Sequence, residues 1–503
     1  MNIALICLYG MENNGIRLIS SVLRKENFNP HIIFFKRWVN NDIRLPSEKD
    51  KEILIALLKE LKVDMVGVGF TSPFLKIAQD LTGYIKKNIE TPVVWGGVHA
   101  TVKPDECLEY CDIVCRGEGE YVMLDLARAF ANKASLMGIK NICYKLGNKV
   151  IFEEMRPLVQ DLNSLPYQDY GGDHKYFIDD GLYNLDPLMY SPELRVFASR
   201  GCPFNCSYCY NGILRKLYKE EKYYRIKNVE SVISEIEYGL SVFKNIKKIK
   251  FDDDTFMFPM AWIDEFCQKY KKRVALPFEI LFNAECLDEE ILSKLKSAGL
   301  RRVQVGIQTG SNRESTEVYH RNLSLEKIQR FACAAKGLNL EAVYDVILDN
   351  PLATFKDKEA LLDFLLSLPR PFDIFIYSLT VFPGTGLCDM FLNKGLIKKE
   401  DVEGRASKSF NQFRLSFSYP RKKEELFVAC LVSLTSKSFI PRGFILYLKK
   451  NGFLKRHPLP LKWFAEFCNS IKLLFILIKM LIHGEVNMWK FKEYGSFKRS
   501  LIQ

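Results

Sequence analysis

The feature that most narrows the folds open to this chain is a periodicity that occurs twice. Short apolar runs alternate with helical patterns through residues 1–150, give way to an aperiodic stretch, and resume from residue 193. In the first block, residues 3–8, 31–35, 65–70, 92–95 and 113–115 read as strands, and 16–23, 52–61 and 78–87 as helices. Such alternation predicts a doubly wound, Rossmann-like parallel sheet, because successive parallel strands need a helical crossover between them. Its later strands close on small residues, at Thr71-Ser72-Pro73, Gly96-Gly97 and Gly117-Glu118-Gly119, and such sheets bind ligands at the carboxyl ends of their strands. Residues 151–192, rich in Pro, Gly, Asp and Tyr, read as a linker. About six further strand and helix units then run to residue 390, which predicts a partial (β/α)6 barrel of the TIM type with reactive groups at the strand C-termini. Residues 391–503 read as a mainly helical, basic region, and the expected class is α/β.

Composition closes off several alternatives. Of 503 residues, 48% are hydrophobic and 26% charged, which excludes global disorder, and the length suits about three domains. Fourteen cysteines are too sparse for a secreted disulfide scaffold, and the opening MNIALICLYG lacks a basic region and a cleavage site, so a reducing cytoplasm is expected. There the local spacing of thiols matters, because reduced cysteines are available as metal ligands. From Lys437 onward, 13 basic residues face only three acidic ones, so ten of the twelve net positive charges lie in this tail. That pattern suggests an anionic surface as partner rather than a nucleic-acid-binding core, and no nucleic acid is expected.

Directly after the first strand of the second block stands the run Arg200-Gly201-Cys202-Pro203-Phe204-Asn205-Cys206-Ser207-Tyr208-Cys209. Three cysteines in one loop, spaced by three and then two residues, can hold one iron–sulfur cubane and leave its remaining iron open to a substrate. Structural zinc is the alternative, but zinc favours four ligands in paired arrangements, and no second Cys-x2-Cys pair exists in the chain.

With Tyr208 ahead of the last thiol, these residues form a signature that resembles the radical S-adenosylmethionine superfamily. The likeness continues through Arg225 and Glu235, residues 251–256 (FDDDTF), 306–311 (GIQTGS) and 382–385 (FPGT). It implies that Cys202, Cys206 and Cys209 hold a 4Fe-4S cluster whose unique iron chelates S-adenosylmethionine. One electron, from a donor such as flavodoxin or ferredoxin, would then cleave the sulfonium to a 5'-deoxyadenosyl radical. The same resemblance implies cosubstrate contacts from Tyr208, Asp253, Asp254, Gly306, Gln308 and Ser311. Asp253 and Asp254 end a strand, where carboxylates could accept hydrogen bonds from the ammonium group; a solvated acidic turn is the alternative. Gly306 would let backbone approach the ribose with Gln308 and Ser311 as donors, the alternative being a structural turn. Gln308 stands where family members often carry Glu.

The first block resembles the cobalamin-binding domain that precedes many such enzymes, through residues 69–73 (GFTSP), 96–106 (GGVHATVKPDE) and 116–120 (RGEGE). The resemblance implies a groove formed by Thr71, Ser72, Gly96, Gly97, Val98, His99, Gly117, Glu118 and Gly119 that admits the nucleotide tail of cobalamin. Other cobalamin proteins place Asp-x-His-x-x-Gly after the first strand, with the His on cobalt. Here residues 10–15 read GMENNG, with Glu12 where the His would stand, so no histidine ligand is expected from this loop. His99 is expected to be a hydrogen-bonding loop residue.

Together the two resemblances imply methylation of an unactivated carbon of a small-molecule substrate. The deoxyadenosyl radical would remove a hydrogen atom, and the substrate radical would take a methyl group from methylcobalamin, which a second S-adenosylmethionine restores. The alternatives are a cobalamin-dependent cyclase, rearrangement or redox enzyme without net methyl transfer, and a non-catalytic cluster-bearing sensor. Residues 463–482 are the most apolar stretch, but Lys472 and Lys479 interrupt it, so no spanning helix is expected. On a helix, Asn469, Lys472, Lys479 and His483 form a narrow polar stripe against Phe464, Phe467, Ile471, Leu474 and Ile478. With Lys449, Lys450, Lys455, Arg456, Lys490, Lys492, Lys498 and Arg499 around it, this suits peripheral contact of 460–503 with an anionic membrane, and weakly favours a hydrophobic substrate. The other reading is a helix packed on the barrel with its lysines outward.

Overall fold

The computed structural model describes residues 1–37, 44–219, 221–286, 288–322, 324–400, 402 and 422–482. The chain begins with nine strands: β1 (Asn2–Leu8), β2 (Asn29–Phe35), β3 (Met65–Gly69), β4 (Val93–Gly96), β5 (Ile113–Cys115), β6 (Ile142–Leu146), β7 (Lys149–Phe152), β8 (Lys175–Ile178) and β9 (Leu182–Tyr183). They form one sheet in the order β7-β6-β5-β4-β3-β1-β2-β8-β9. β1 to β5 and β8 are mutually parallel, and β6, β7 and β9 close the two edges antiparallel. β1 and the Ile32–Phe35 end of β2 read as apolar runs because helices cover both faces, and only the first residue of each strand lies outside the buried set. Local chemistry sets the helix starts: Asn13 Oδ1 accepts from Ile16 N at 3.0 Å, and Ser47 forms a capping box with Asp50.

Residues 151–192, read as a linker, do more than connect. Lys175–Ile178 joins the first sheet as β8 along the outer edge of β2, and so removes an edge that would otherwise present unpaired backbone groups. The fully buried Arg17 pairs with Asp186 at 2.6 Å, which fixes the segment against the first domain.

The second sheet is a six-stranded partial barrel, as its periodicity predicts. β10 (Glu193–Val196) is followed by the short antiparallel pair β11 (Ser199–Arg200) and β12 (Arg225–Ile226), then β13 (Lys248–Phe251), β14 (Phe278–Phe282), β15 (Leu300–Gln308), β16 (Glu341–Ile347) and β17 (Asp373–Tyr377). The barrel order is β10-β13-β14-β15-β16-β17, all parallel. Along β10, β13 and β14 burial alternates. Leu194, Val196, Ile249, Phe251 and Ile280 pack with the helices, whereas the other face carries charge. There Lys248 bridges Glu193 at 2.9 Å and Glu279 at 2.6 Å, and Arg195 reaches Glu193 at 2.8 Å. The barrel interior is therefore a ladder of paired ions that rewards alternation on every strand.

Helices Lys423–Thr435, Arg442–Lys449, Gly452–Arg456 and Leu459–Ile482 complete the described chain. The last helix turns its polar stripe inward: Lys472 pairs with Asp373, Lys479 with Glu341 at 2.5 Å, and Asn469 Oδ1 accepts from Ser433 Oγ at 3.2 Å. The helix packs on the barrel, and its lysines, read as facing outward, instead reach the carboxylates that begin β16 and β17, with Lys479 still half exposed. No described helix is long and apolar enough to cross a membrane. Residues 403–421 of the expected helical region, and His483, Lys490, Lys492, Lys498 and Arg499, lie outside the described residues.

Beneath this helix Lys437 is 4% exposed and donates to Ser436 Oγ at 3.1 Å. Burial, followed by the charge of Lys472, pulls its pKa down to about 7, while Asp373 and Cys468 oppose the fall. The penalty for burying its charge is complete below pH 7 and is relieved as pH rises toward the unfolded value, so this residue makes the fold gain stability between neutral and alkaline pH. Lys437→Met is expected to stabilise the protein near neutral pH by on the order of 2 kcal/mol and to flatten that rise, measured by chemical denaturation at pH 6.5 and 9.

Candidate cofactor site between the two domains

The carboxyl ends of β3, β4 and β5 face the cysteine loop across a cavity of about 900 Å³. The first domain contributes Gly69, Thr71, Gly96, Gly97, Val98, Thr101, Gly117, Glu118 and Gly119; the second contributes Ser199, Arg200, Gly201, Cys209, Tyr210, Asn211 and Asp254. Glycine keeps this space open in two ways. Gly97 has φ +100°, and a Cβ there would lie 2.3 Å from the Phe70 carbonyl oxygen, so no side chain is tolerated. A Cβ on Gly96 would meet only Cys115 Cβ, at 3.9 Å, and would enter the cavity itself. Thr101 ties these strand ends together: its hydroxyl donates to Gly97 O and accepts from Gly117 N, both at 2.9 Å. A cradle this open suits a large flat cofactor; no histidine is among its described lining residues.

His99 and Ser72 stand behind that surface. His99 Nδ1 lies 2.8 Å from Ser72 Oγ, and Ser72 Oγ lies 2.7 Å from the Tyr210 hydroxyl. Burial, then the charge of Lys103, pulls the His99 pKa down to about 4, so the ring is neutral at ordinary pH. The expected hydrogen-bonding role is what the structure shows, and its end point is the residue after Cys209. The Tyr210 ring also packs on Phe382, 4.6 Å between centroids, within the FPGT stretch.

Glu118 is the junction of the two domains. It accepts from Arg200 at 3.0 Å, Arg225 at 2.9 Å and Val159 N at 3.2 Å, while Arg200 also holds Glu120 at 2.5 Å. The nearby guanidinium groups, outweighing burial, hold its carboxyl below the usual range. Arg225 also donates to Val159 O at 2.8 Å, and Glu235 pairs with Lys227 at 2.5 Å. Arg200, Tyr210 and Asn211 carried no distinguishing sequence signal beyond proximity to the cysteines. Their partners come from the other domain or from distant segments.

The cysteine loop is pinned from both sides. Ser207 N donates to Tyr319 O at 3.0 Å, Leu387 N donates to Ser207 O at 2.8 Å, and the Arg215 guanidinium donates to the carbonyls of Cys202 and Phe204. All three thiols are free and partly exposed. Burial pushes the Cys202 thiol up to about 12 and raises Cys209 as well, a cost that coordinated iron reverses. Among the described residues no three such side chains meet as for a single metal ion. A cubane instead presents a separate iron to each thiol, so its ligands stand apart, and the donor set fits one.

The structure separates the expected S-adenosylmethionine contacts. Asp254 lines the cavity, with burial raising its pKa and a hydrogen bond from Asn211 opposing the rise. Asp253 is fully buried, accepts from Ala198 N at 3.1 Å and from Ser199 Oγ, and has its pKa pushed up to about 7 by burial. Tyr208, Gly306 and Gln308 gather around Arg321, which donates to the Tyr208 hydroxyl and to Gly306 O, both at 3.0 Å. Gln308 sits at φ +68° where the β15–β16 register shifts, a bulge that re-aims its side chain. Ser311 stands apart from these groups, its hydroxyl donating to Asp357 at 2.5 Å.

Residues 196–365 match the Radical SAM superfamily, and residues 5–127 match the B12 binding domain. An "uncharacterized methyltransferase" of Pyrococcus horikoshii is 28% identical over 352 residues, 68% of this chain and 72% of the relative. A bacteriochlorophyllide d C-8(2)-methyltransferase of Chlorobaculum tepidum is 26% identical over 68% of this chain and 71% of its own length. An anaerobic magnesium-protoporphyrin IX monomethyl ester cyclase of Cereibacter sphaeroides is 26% identical over 52% of this chain and only 42% of its own length. Among solved structures, the cobalamin-dependent S-adenosylmethionine radical enzyme OxsB shares the fold over 99% of this chain and 83% of its own, with TM-score 0.65 and 16% identity. The radical S-adenosylmethionine methyltransferase TsrM of Kitasatospora setae covers 78% of this chain and 75% of its own, with TM-score 0.62 and 17% identity. The chain therefore carries a B12 binding domain followed by a radical SAM domain, a pairing whose cofactors are cobalamin, a 4Fe-4S cluster and S-adenosylmethionine.

Gly96, the last residue of β4, and Gly97 just after it separate cavity space from backbone fit. Gly96→Leu is expected to leave the melting temperature near that of the parent while weakening cobalamin binding at least tenfold, about 1.4 kcal/mol, by spectral titration. Gly97→Ala is expected instead to cost about 1–3 kcal/mol of stability in thermal unfolding.

Proposed function

We propose that this enzyme methylates an unactivated carbon of a small molecule, with both reactive cofactors opening onto one chamber. The observation that carries this reading is the single cavity walled on one side by Gly96, Gly97 and Gly117 and on the other by Cys209 and Asp254. When bound, the cofactors supply a carbon-centred radical and a transferable methyl group, and the protein fixes distances and excludes water. In this reading Cys202, Cys206 and Cys209 ligate the cluster. Asp254 and Tyr208 hold the cosubstrate, with Tyr208 oriented by Arg321, and Asp253 braces the strand end at Ala198 and Ser199. The first-domain residues Thr71, Gly96, Gly97, Val98, Gly117 and Gly119 bed the cobalamin, and Ser72 and His99 support that bed from behind.

Methyltransferase names among the relatives favour net methyl transfer. A second reading, oxidative ring formation without methylation, draws on the relatives named as cyclases, which match over less of their own length. Methyl-labelled S-adenosylmethionine given to the reduced holoenzyme with candidate substrate extracts separates the two. Methylation predicts both 5'-deoxyadenosine and label in a new product, and Cys209→Ala is expected to yield neither. Deoxyadenosine with a new unlabelled product would favour ring formation.

A further inference from the structure

The last helix is seated by Leu461, Ala465 and Cys468 in the core, with polar contacts on the same side. Asn469, Lys472 and Lys479 face the barrel, so Trp463, Phe467, Leu474 and Leu481 point outward, 66%, 63%, 59% and 55% exposed. At 100° per residue these four fall within about 40° of arc, a single apolar ridge. The ridge continues onto the neighbouring helix, where Phe444 lies 6.0 Å from Phe464 and 6.4 Å from Tyr447, ring to ring. Contiguous exposed apolar surface of this kind marks an interaction site on a globular protein.

The charge along this segment is predominantly basic, although Lys437 is buried and Lys449, Lys472 and Lys479 pair with carboxylates of the barrel domain. Residues 437–482 hold nine basic side chains and one acidic one, Glu466, which pairs with Lys462 at 3.7 Å. Arg442, Lys450 and Arg456 are exposed among them. We propose that this face docks on an anionic lipid membrane, with the apolar ridge entering the interface and the basic residues meeting phosphate headgroups. A second copy of the chain would bring like charge against like, which disfavours self-association. The helix lies in the plane of the interface. It crosses the N-terminal ends of β16 and β17, whereas the cavity opens at the C-terminal ends of the strands, so docking leaves the cofactor chamber uncovered.

The test is co-sedimentation of the full-length holoprotein with vesicles of phosphatidylcholine alone or mixed with phosphatidylglycerol. Binding to the anionic vesicles is expected to be at least tenfold stronger and to weaken as salt is raised. Combined Trp463→Ser, Phe467→Ser and Leu474→Ser should reduce it at least tenfold with melting temperature and deoxyadenosine formation unchanged. Lys450→Glu with Arg456→Glu should remove the preference for anionic lipid. The proposal is overturned if the parent chain ignores anionic vesicles, or if binding survives the triple substitution. It is equally overturned if the parent is a dimer that the triple variant converts to monomer, or if vesicles bind only after residues 483–503 are deleted, which would mean that the chain covers its own ridge.

Discussion

Much of the site depends on one carboxylate held by two guanidinium groups from the opposite domain. Glu118 ends a glycine-rich turn after β5, and Arg200 and Arg225 lie on the short antiparallel pair that follows the first barrel strand. Ions mostly withdrawn from water are costly unless geometry and hydrogen bonds are complete, and breaking such a group leaves an uncompensated charge. Here the group is completed by Glu120 and by the backbone of Val159, a residue of the segment between the domains. The strand ends of the first sheet are thereby set facing the cysteine loop, and the chamber between them acquires a definite shape.

That chamber is preserved by what the sequence omits. Gly96 withholds a side chain from the cavity, Gly97 and Gly117 leave room for the Phe70 backbone and the Tyr218 hydroxyl, and Thr101 ties these strand ends with two hydrogen bonds. The relay from His99 through Ser72 to Tyr210 performs the same service across the domain boundary, since it links the floor of the cobalamin domain to the residue adjoining Cys209. On the barrel side, Arg321 binds Tyr208 and Gly306 into one unit, so two separate sequence motifs are joined.

The carboxyl-terminal helix follows a different logic. Its inner face sets Leu461, Ala465 and Cys468 into the core, and its lysines reach Asp373 and Glu341 at the starts of two barrel strands. This seating leaves the opposite face of the helix without a partner among the described residues. The exposed aromatic and aliphatic ridge is the direct consequence, set in a strongly basic region.

The strand–helix alternation was sufficient, by itself, to determine the α/β class and the two-block order, and the cysteine spacing pointed to a cluster, because periodicity and ligand spacing are local properties of the chain; the full cofactor set came from the resemblance of its motifs to two known families. Tertiary structure alone decided which expected residues meet. Asp253 and Asp254 are neighbours in sequence, yet one is sealed against Ala198 and Ser199 while the other lines the cavity. Ser311 follows the Gly306–Gln308 turn but engages Asp357 instead, and residues 175–178, without periodicity of their own, become a strand because β2 has an open edge. The last helix likewise meets carboxylates about 100 residues or more away, a distance no helical wheel contains. Such outcomes depend on partners that only folding brings into range.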